Sequence, residues 1–470
     1  MSIDLDPDAQ SALLHQAVEV VLGHARHVRD LPIAPADDPA ALRASLHAFD
    51  LEHGADPASV VSLTAGLLES CTVLTTHPRY FGLFNPSPLT AGIAADILTA
   101  GFNPQLAVRS HAPGAVEIEA LVIRTMGEWT GLPSPAGSFT TGGAEANATA
   151  VALALQARFP EVATGGLRAL PGRPVFYASS ESHLAWLKIA HQCGLGRDSV
   201  RLVPADASLR LDLDDLRGQI ARDRAAGECP FLVVATAGTT SAGVVDPLPE
   251  AADLAEEHGL WFHVDAAWAG AAVLSDVLRP HLAGIDRADS VTVDAHKWLS
   301  VPMGAGMLLT RHGGLLHDVF DVATSYMPAT STGANVATDP YTTTMQWSRR
   351  AAGLKLFLAL AVHGRRGYAR QLEHDVALAD DLREALRQDG WHVANDTPLP
   401  VVCISEPEHD ETFHRAVAES VIASGVAWVS FVLLAGRPAV RACVISHRST
   451  ADDVAALAAE LRRARADRSP

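Results

Sequence analysis

The sequence predicts an α/β protein: a large domain built on a mostly parallel central sheet, and a small α+β domain after it. Three observations carry this. Phe231-Leu232-Val233-Val234-Ala235 is an uninterrupted apolar run, as buried parallel strands are. Leu260-Trp261-Phe262-His263-Val264-Asp265 and Ser290-Val291-Thr292-Val293-Asp294 are two more buried strands, about one βαβ unit apart, each ending in polar residues. From about residue 370 the pattern changes to short strands near 401–405, 427–432 and 441–446, with helices over 370–389 and 451–465. The expected units are a helical arm over 1–75, the large domain over 76–365 and the small domain over 366–470.

With 470 residues, nearly half of them apolar, the chain is long enough for a large core. The formal charge of −18 argues against nucleic acid and against an anionic membrane surface as partners. Cys71, Cys193, Cys229, Cys403 and Cys443 are scattered and form neither a CxxC pair nor a metal-ligand spacing, so no metal is expected. The acidic stretch Asp4-Leu5-Asp6-Pro7-Asp8 has neither the basic nor the apolar region of a signal peptide, and a cytoplasmic location is expected.

In chain order, Leu13, Leu14, Ala17, Val18, Val21 and Leu22 recur at helical spacing over 10–29. Further helices are expected over 40–53 and, with Asp56 as a cap before Pro57, over 57–74. The loop from His77 to Pro86 carries Tyr80 and Phe81, read as core, and Leu83 and Phe84, read as pocket residues. Arg109 follows; an arginine there either pairs with an anionic substrate group or makes a structural ion pair.

Thr141-Gly142-Gly143-Ala144 leads straight into a helix over 148–157. Glycines at a helix start let the backbone approach a ligand, and free amides with the dipole's positive end bind phosphate; a tight turn is the other reading. The motif is not GxGxxG, which weighs against a nicotinamide cofactor. A strand over Pro174–Ser179 precedes the helix start at Ser182-His183. Lys297 comes just after a buried strand, where a desolvated amine becomes nucleophilic and able to form a Schiff base with an aldehyde. Asp265 offers a carboxylate to the same cleft. An amine for the aldehyde carbon and a carboxylate for a pyridine nitrogen are the two groups that pyridoxal phosphate requires.

Thr141-Gly142-Gly143-Ala144-Glu145-Ala146-Asn147, His263-Val264-Asp265-Ala266-Ala267-Trp268 and His296-Lys297-Trp298 together resemble the group II pyridoxal-phosphate decarboxylases. That family includes the aromatic L-amino acid, glutamate and cysteine-sulfinate decarboxylases, and the resemblance covers about residues 70–450. It implies the fold-type I, aspartate aminotransferase-like architecture. It also implies pyridoxal phosphate on Lys297, Asp265 at the ring nitrogen, and His183 stacked on the ring near the substrate carboxylate. The phosphate falls to Gly142, Gly143 and Ala144, with Thr236, Ala267 and His296 beside the cofactor.

Tyr326, in the long loop 320–339, corresponds to a tyrosine that protonates the α-carbon in these decarboxylases. It favours simple decarboxylation over aldehyde release or carbon-carbon cleavage; a buried structural tyrosine is the other reading. The resemblance further implies a homodimer with active sites at the interface and the N-terminal helices packed on the partner. Leu83 and Phe84 suit an aromatic substrate and Arg109 an acidic one; the aromatic reading is favoured. Asp294 stands where relatives carry an asparagine near the phosphate. Because a carboxylate repels a dianion, Asp294 is expected to stay outside the phosphate site.

Overall fold

The computed structural model describes residues 3–35, 38–47, 49–322 and 338–468. Tyr326 lies outside them.

Seven strands form the central sheet: β1 (Ala136–Thr140), β2 (Pro174–Ser179), β3 (Val200–Val203), β4 (Cys229–Thr236), β5 (Trp261–Asp265), β6 (Ser290–Asp294) and β7 (Gly306–Thr310). Their spatial order is β1-β7-β6-β5-β4-β2-β3. The run from β6 to β3 is parallel, and β7 is antiparallel to both its neighbours. Every residue of β2, β5, β6 and β7 is buried, because helices cover both faces. One apolar cluster takes in Gly143–Arg158 and Ala185–Gln192, and another takes in Pro113–Thr130, Leu213–Ala225 and Leu248–Glu257.

The register places Thr236 beside Asp265 and Asp265 beside Thr292, so β4, β5 and β6 end side by side. Such adjacent carboxyl ends open the crevice where ligands bind in sheets of this kind.

β1 and β7 were not expected from the sequence. Ala136-Gly137-Ser138-Phe139-Thr140 has little strand propensity of its own; it is held by pairing with β7, where a Cβ on Gly137 would come within 2.0 Å of the Leu308 carbonyl oxygen.

The small domain carries β8 (His392–Val393), β9 (Val401–Ser405), β10 (Ser430–Leu434) and β11 (Arg437–Cys443) in the antiparallel order β10-β11-β9-β8. The last two strands differ from the expected 427–432 and 441–446. The tight turn at Ala435 (φ 45°) and Gly436 (φ 78°) sets their register by pairing Leu434 with Arg437. The long helix Gly353–Gln388 breaks at Gly364 (φ 65°) and continues onto the small sheet.

In the arm, helices span Pro7–His27, Pro39–Leu46 and Pro57–Ser70, the second shorter than the expected 40–53. Asp56 caps the third by accepting from the Ser59 amide at 2.9 Å, with Pro57 in its first turn. None of the three helices has a buried residue.

Candidate active site

A cavity of about 370 Å³ opens at the ends of β4, β5 and β6. Lys297, Asp265, His183, His296, Thr236, Ala267, Gly143, Ala144, Leu83 and Phe84, all singled out in the sequence, line it. Gly142 stands just behind, packed on Gly306: a Cβ on Gly306 would fall 2.6 Å from Gly142 backbone atoms, so β7 must carry glycine there for the helix start to sit where it does.

The helix Gly143–Arg158 points its N-terminus into the cavity. Its first amides have no partner within the helix, which makes this end a site for an anion. Glu145 ties down the approach by accepting from the Thr141 amide (2.8 Å) and hydroxyl (2.7 Å) and from Gln346 (2.7 Å).

Asp265 is 5 % exposed. One of its oxygens accepts from the Ala267 amide at 3.1 Å and the other from the Asn147 side chain at 2.9 Å, and the residue lines the cavity. His183 is open at the cavity mouth, with its Nδ1 accepting from the Ala185 amide at 3.1 Å. Enough protein surrounds it that desolvation lowers its pKa, an effect that Asp265 opposes and Lys297 reinforces. His296 is buried and likewise shifted down by desolvation; its Nδ1 accepts from the Ala305 amide at 3.2 Å.

Asp294, expected to stay outside the phosphate site, is among the residues that line the cavity. It is 2 % exposed, sits 3.0 Å from the Lys297 Nζ, and lies 2.9 Å from where a Cβ on Gly143 would stand. Both residues line the cavity, so the ion pair is part of its wall.

Phe84 forms part of the wall. Its ring stacks on Trp268 (centroids 4.5 Å apart, planes at 19°), and the buried Arg441 guanidinium lies 5.3 Å from its centroid. Tyr80 and Phe81 are buried, as expected of core residues.

Arg109 does not line this cavity. Its Nε donates to Glu117 at 2.9 Å, and its backbone amide donates to Asp339 at 2.7 Å.

The family description "Pyridoxal-dependent decarboxylase conserved domain" matches residues 53–406. The chain belongs to the pyridoxal-dependent decarboxylases. Among decarboxylase relatives, the aromatic-L-amino-acid decarboxylase of Bacillus atrophaeus is 28 % identical over 463 residues, covering 96 % of this chain and 95 % of that one. The cysteine sulfinic acid decarboxylase of Mus musculus is 37 % identical over 345 residues, covering 72 % of this chain and 70 % of that one. The crystal structure of mouse CSAD superposes with a TM-score of 0.91 at 30 % identity, over 98 % of this chain and 99 % of that one. Oryza sativa TDC with PLP and tryptamine shares the fold, with a TM-score of 0.93 at 24 % identity over 99 % of each chain.

This decarboxylase uses pyridoxal phosphate and is a carboxy-lyase of fold-type I. The cavity suits that cofactor on its own chemistry. It offers an amine, a buried carboxylate and a helix N-terminus for the phosphate. Thr236 Oγ1 is also buried there without a hydrogen-bond partner among the described residues.

Asn147, the last residue of the Thr141–Asn147 motif, donates to Asp265 from the side chain. Only the convergence of elements 118 positions apart shows this contact.

Proposed function

We propose that this enzyme decarboxylates an L-amino acid with an aromatic side chain, giving the amine and carbon dioxide. The observation that carries the substrate class is the stack of Phe84 on Trp268 in the cavity wall, beside Leu83 and Met303. A flat apolar wall favours a flat apolar side chain.

In this reading Lys297 binds the cofactor, and the amides of Gly143 and Ala144, after the turn at Gly142, hold its phosphate. Asp265 faces the pyridine nitrogen, with Thr236, Ala267 and His296 around it, while His183 lies over the ring near the substrate carboxylate. When bound, pyridoxal phosphate accepts the electron pair left at the α-carbon as carbon dioxide departs. Orientation would select the bond that breaks, and the walls from Leu83, Phe84 and His183 would position the substrate carboxylate for it. Tyr326 supplies the proton to the α-carbon, and water is kept from that carbon while it is unprotonated.

The enzyme works as a homodimer in the cytoplasm. The apolar side chains of Leu14, Val18, Val21, Leu22, Leu63 and Leu68 stand exposed on the arm helices, as a partner-facing surface would. All five cysteines are free thiols.

A second reading, an acidic substrate, is favoured by the 36–37 % identity to mammalian cysteine sulfinic acid decarboxylases. A panel of L-amino acids, assayed for carbon dioxide, amine and peroxide, separates the readings. Preference for L-phenylalanine, L-tyrosine or L-tryptophan supports the first. Preference for cysteine sulfinate, aspartate or glutamate replaces it with the second, and aldehyde with peroxide replaces both with an oxidative, aldehyde-forming reaction.

A further inference from the structure

Behind Asp265 runs a chain of buried hydrogen bonds that the decarboxylation reading does not use. The Asn147 Nδ2 donates to Asp265 at 2.9 Å. The Asn147 Oδ1 lies 2.6 Å from the Thr292 hydroxyl and 3.1 Å from the His263 Nε2. The His263 Nδ1 lies 2.8 Å from the Ser290 hydroxyl, and that hydroxyl is 2.9 Å from the Trp261 Nε1. His263, Ser290 and Thr292 are fully buried, and Asn147 is 3 % exposed.

Elementary donor and acceptor rules leave one direction for these bonds. A carboxylate only accepts, so Asn147 must turn its amide nitrogen to Asp265 and its oxygen to Thr292 and His263. His263 must then carry its proton on Nε2. Burial pushes its pKa down to about 4, so the ring is neutral and Nδ1 accepts from Ser290. The indole of Trp261 can only donate, and it closes the chain at the Ser290 oxygen. Every step agrees, and the amide of Asn147 cannot flip without setting its oxygen against a carboxylate. Trp186 packs edge-on against the His263 ring, centroids 5.6 Å apart, and further fixes it.

We infer that Asn147, held by Thr292 and His263, is a positioning residue that keeps Asp265 aimed at the cofactor's ring nitrogen and so sets the enzyme's preference for a protonated pyridine ring. A buried carboxylate with one fixed donor on each oxygen, Asn147 on one and Ala267 on the other, keeps a lone pair free toward the cavity at no cost in reorganisation. The inference rests on Asp265 facing that nitrogen, as proposed above.

The test compares how tightly the full chain, stripped of cofactor, binds pyridoxal phosphate and its 1-deaza analogue, in which a carbon replaces the ring nitrogen. The ratio of the two dissociation constants reads the nitrogen contact alone. Wild type should prefer pyridoxal phosphate. Asn147→Leu should shrink that preference by about tenfold or more, by weakening pyridoxal phosphate while leaving the analogue's affinity nearly unchanged. Thr292→Val, near-isosteric on a strand, should shrink it by a few fold, and it decides the matter if Asn147→Leu does not fold. Asp265→Asn is the control. If it keeps the wild-type ratio, the placement of Asp265 itself is wrong. If Asp265→Asn loses the preference while the Asn147 and Thr292 variants keep it, or weaken both ligands equally, the positioning role is overturned.

Discussion

Trp298 donates its indole N–H to Asp375 at 2.8 Å, tying the residue after Lys297 to the second half of the helix Gly353–Gln388. Asp375 is 1 % exposed and also accepts from Gln371 at 2.8 Å. Burial outweighs these two bonds and raises its pKa to about 7. A carboxyl whose folded pKa lies above its unfolded value adds stability that is complete below about pH 4. That stability is lost as pH rises through about 7, and amounts to a few kcal/mol at most. Asp375→Asn keeps an acceptor for Trp298 and removes the ionisation. Thermal melts from pH 5 to 8.5 should show the variant gaining on wild type as pH rises; parallel curves would deny that Asp375 titrates in this range.

Asp294 and Gly143 face each other so closely that a Cβ on Gly143 would lie 2.9 Å from a carboxylate oxygen. Gly143→Ala therefore pushes Asp294 and narrows the space at the helix N-terminus. Its affinity for pyridoxal phosphate, followed by absorbance titration, should fall by about tenfold. Unchanged affinity would mean that the phosphate docks elsewhere.

Phe84 is packed between Trp268 and Arg441. Phe84→Ala removes the stack and leaves a void, with an expected loss of about 3 kcal/mol in stability. For an aromatic substrate the KM should rise by about tenfold, more than for a small apolar one. Equal changes for both would show that Phe84 supports the fold and does not read the side chain.

Much of this site could be read in the sequence because its strands are buried and parallel. Phe231–Thr236 and Trp261–Asp265 are largely apolar and Ser290–Asp294 alternates Val291 and Val293 with polar residues, and the polar C-terminal ends of all three are at the site. Their parallel register sets Thr236 beside Asp265 beside Thr292. What escaped depended on contacts between distant segments. β1 is stabilised by pairing across about 170 residues, and the link of Asn147 to Asp265 has no local signature. The partner of Asp294 also needed geometry to be seen: Lys297 lies 3.0 Å from its carboxylate.

The most direct measurement is the reaction itself run in D₂O on the cofactor-loaded enzyme, with carbon dioxide, oxygen uptake and the deuterium content of the product followed together. The expected result is one amine for each carbon dioxide, one deuterium at the former α-carbon and no oxygen consumed, with carbon dioxide release and deuterium incorporation both lost in Lys297→Ala. Aldehyde formed with oxygen uptake, or activity that survives in Lys297→Ala, would contradict it.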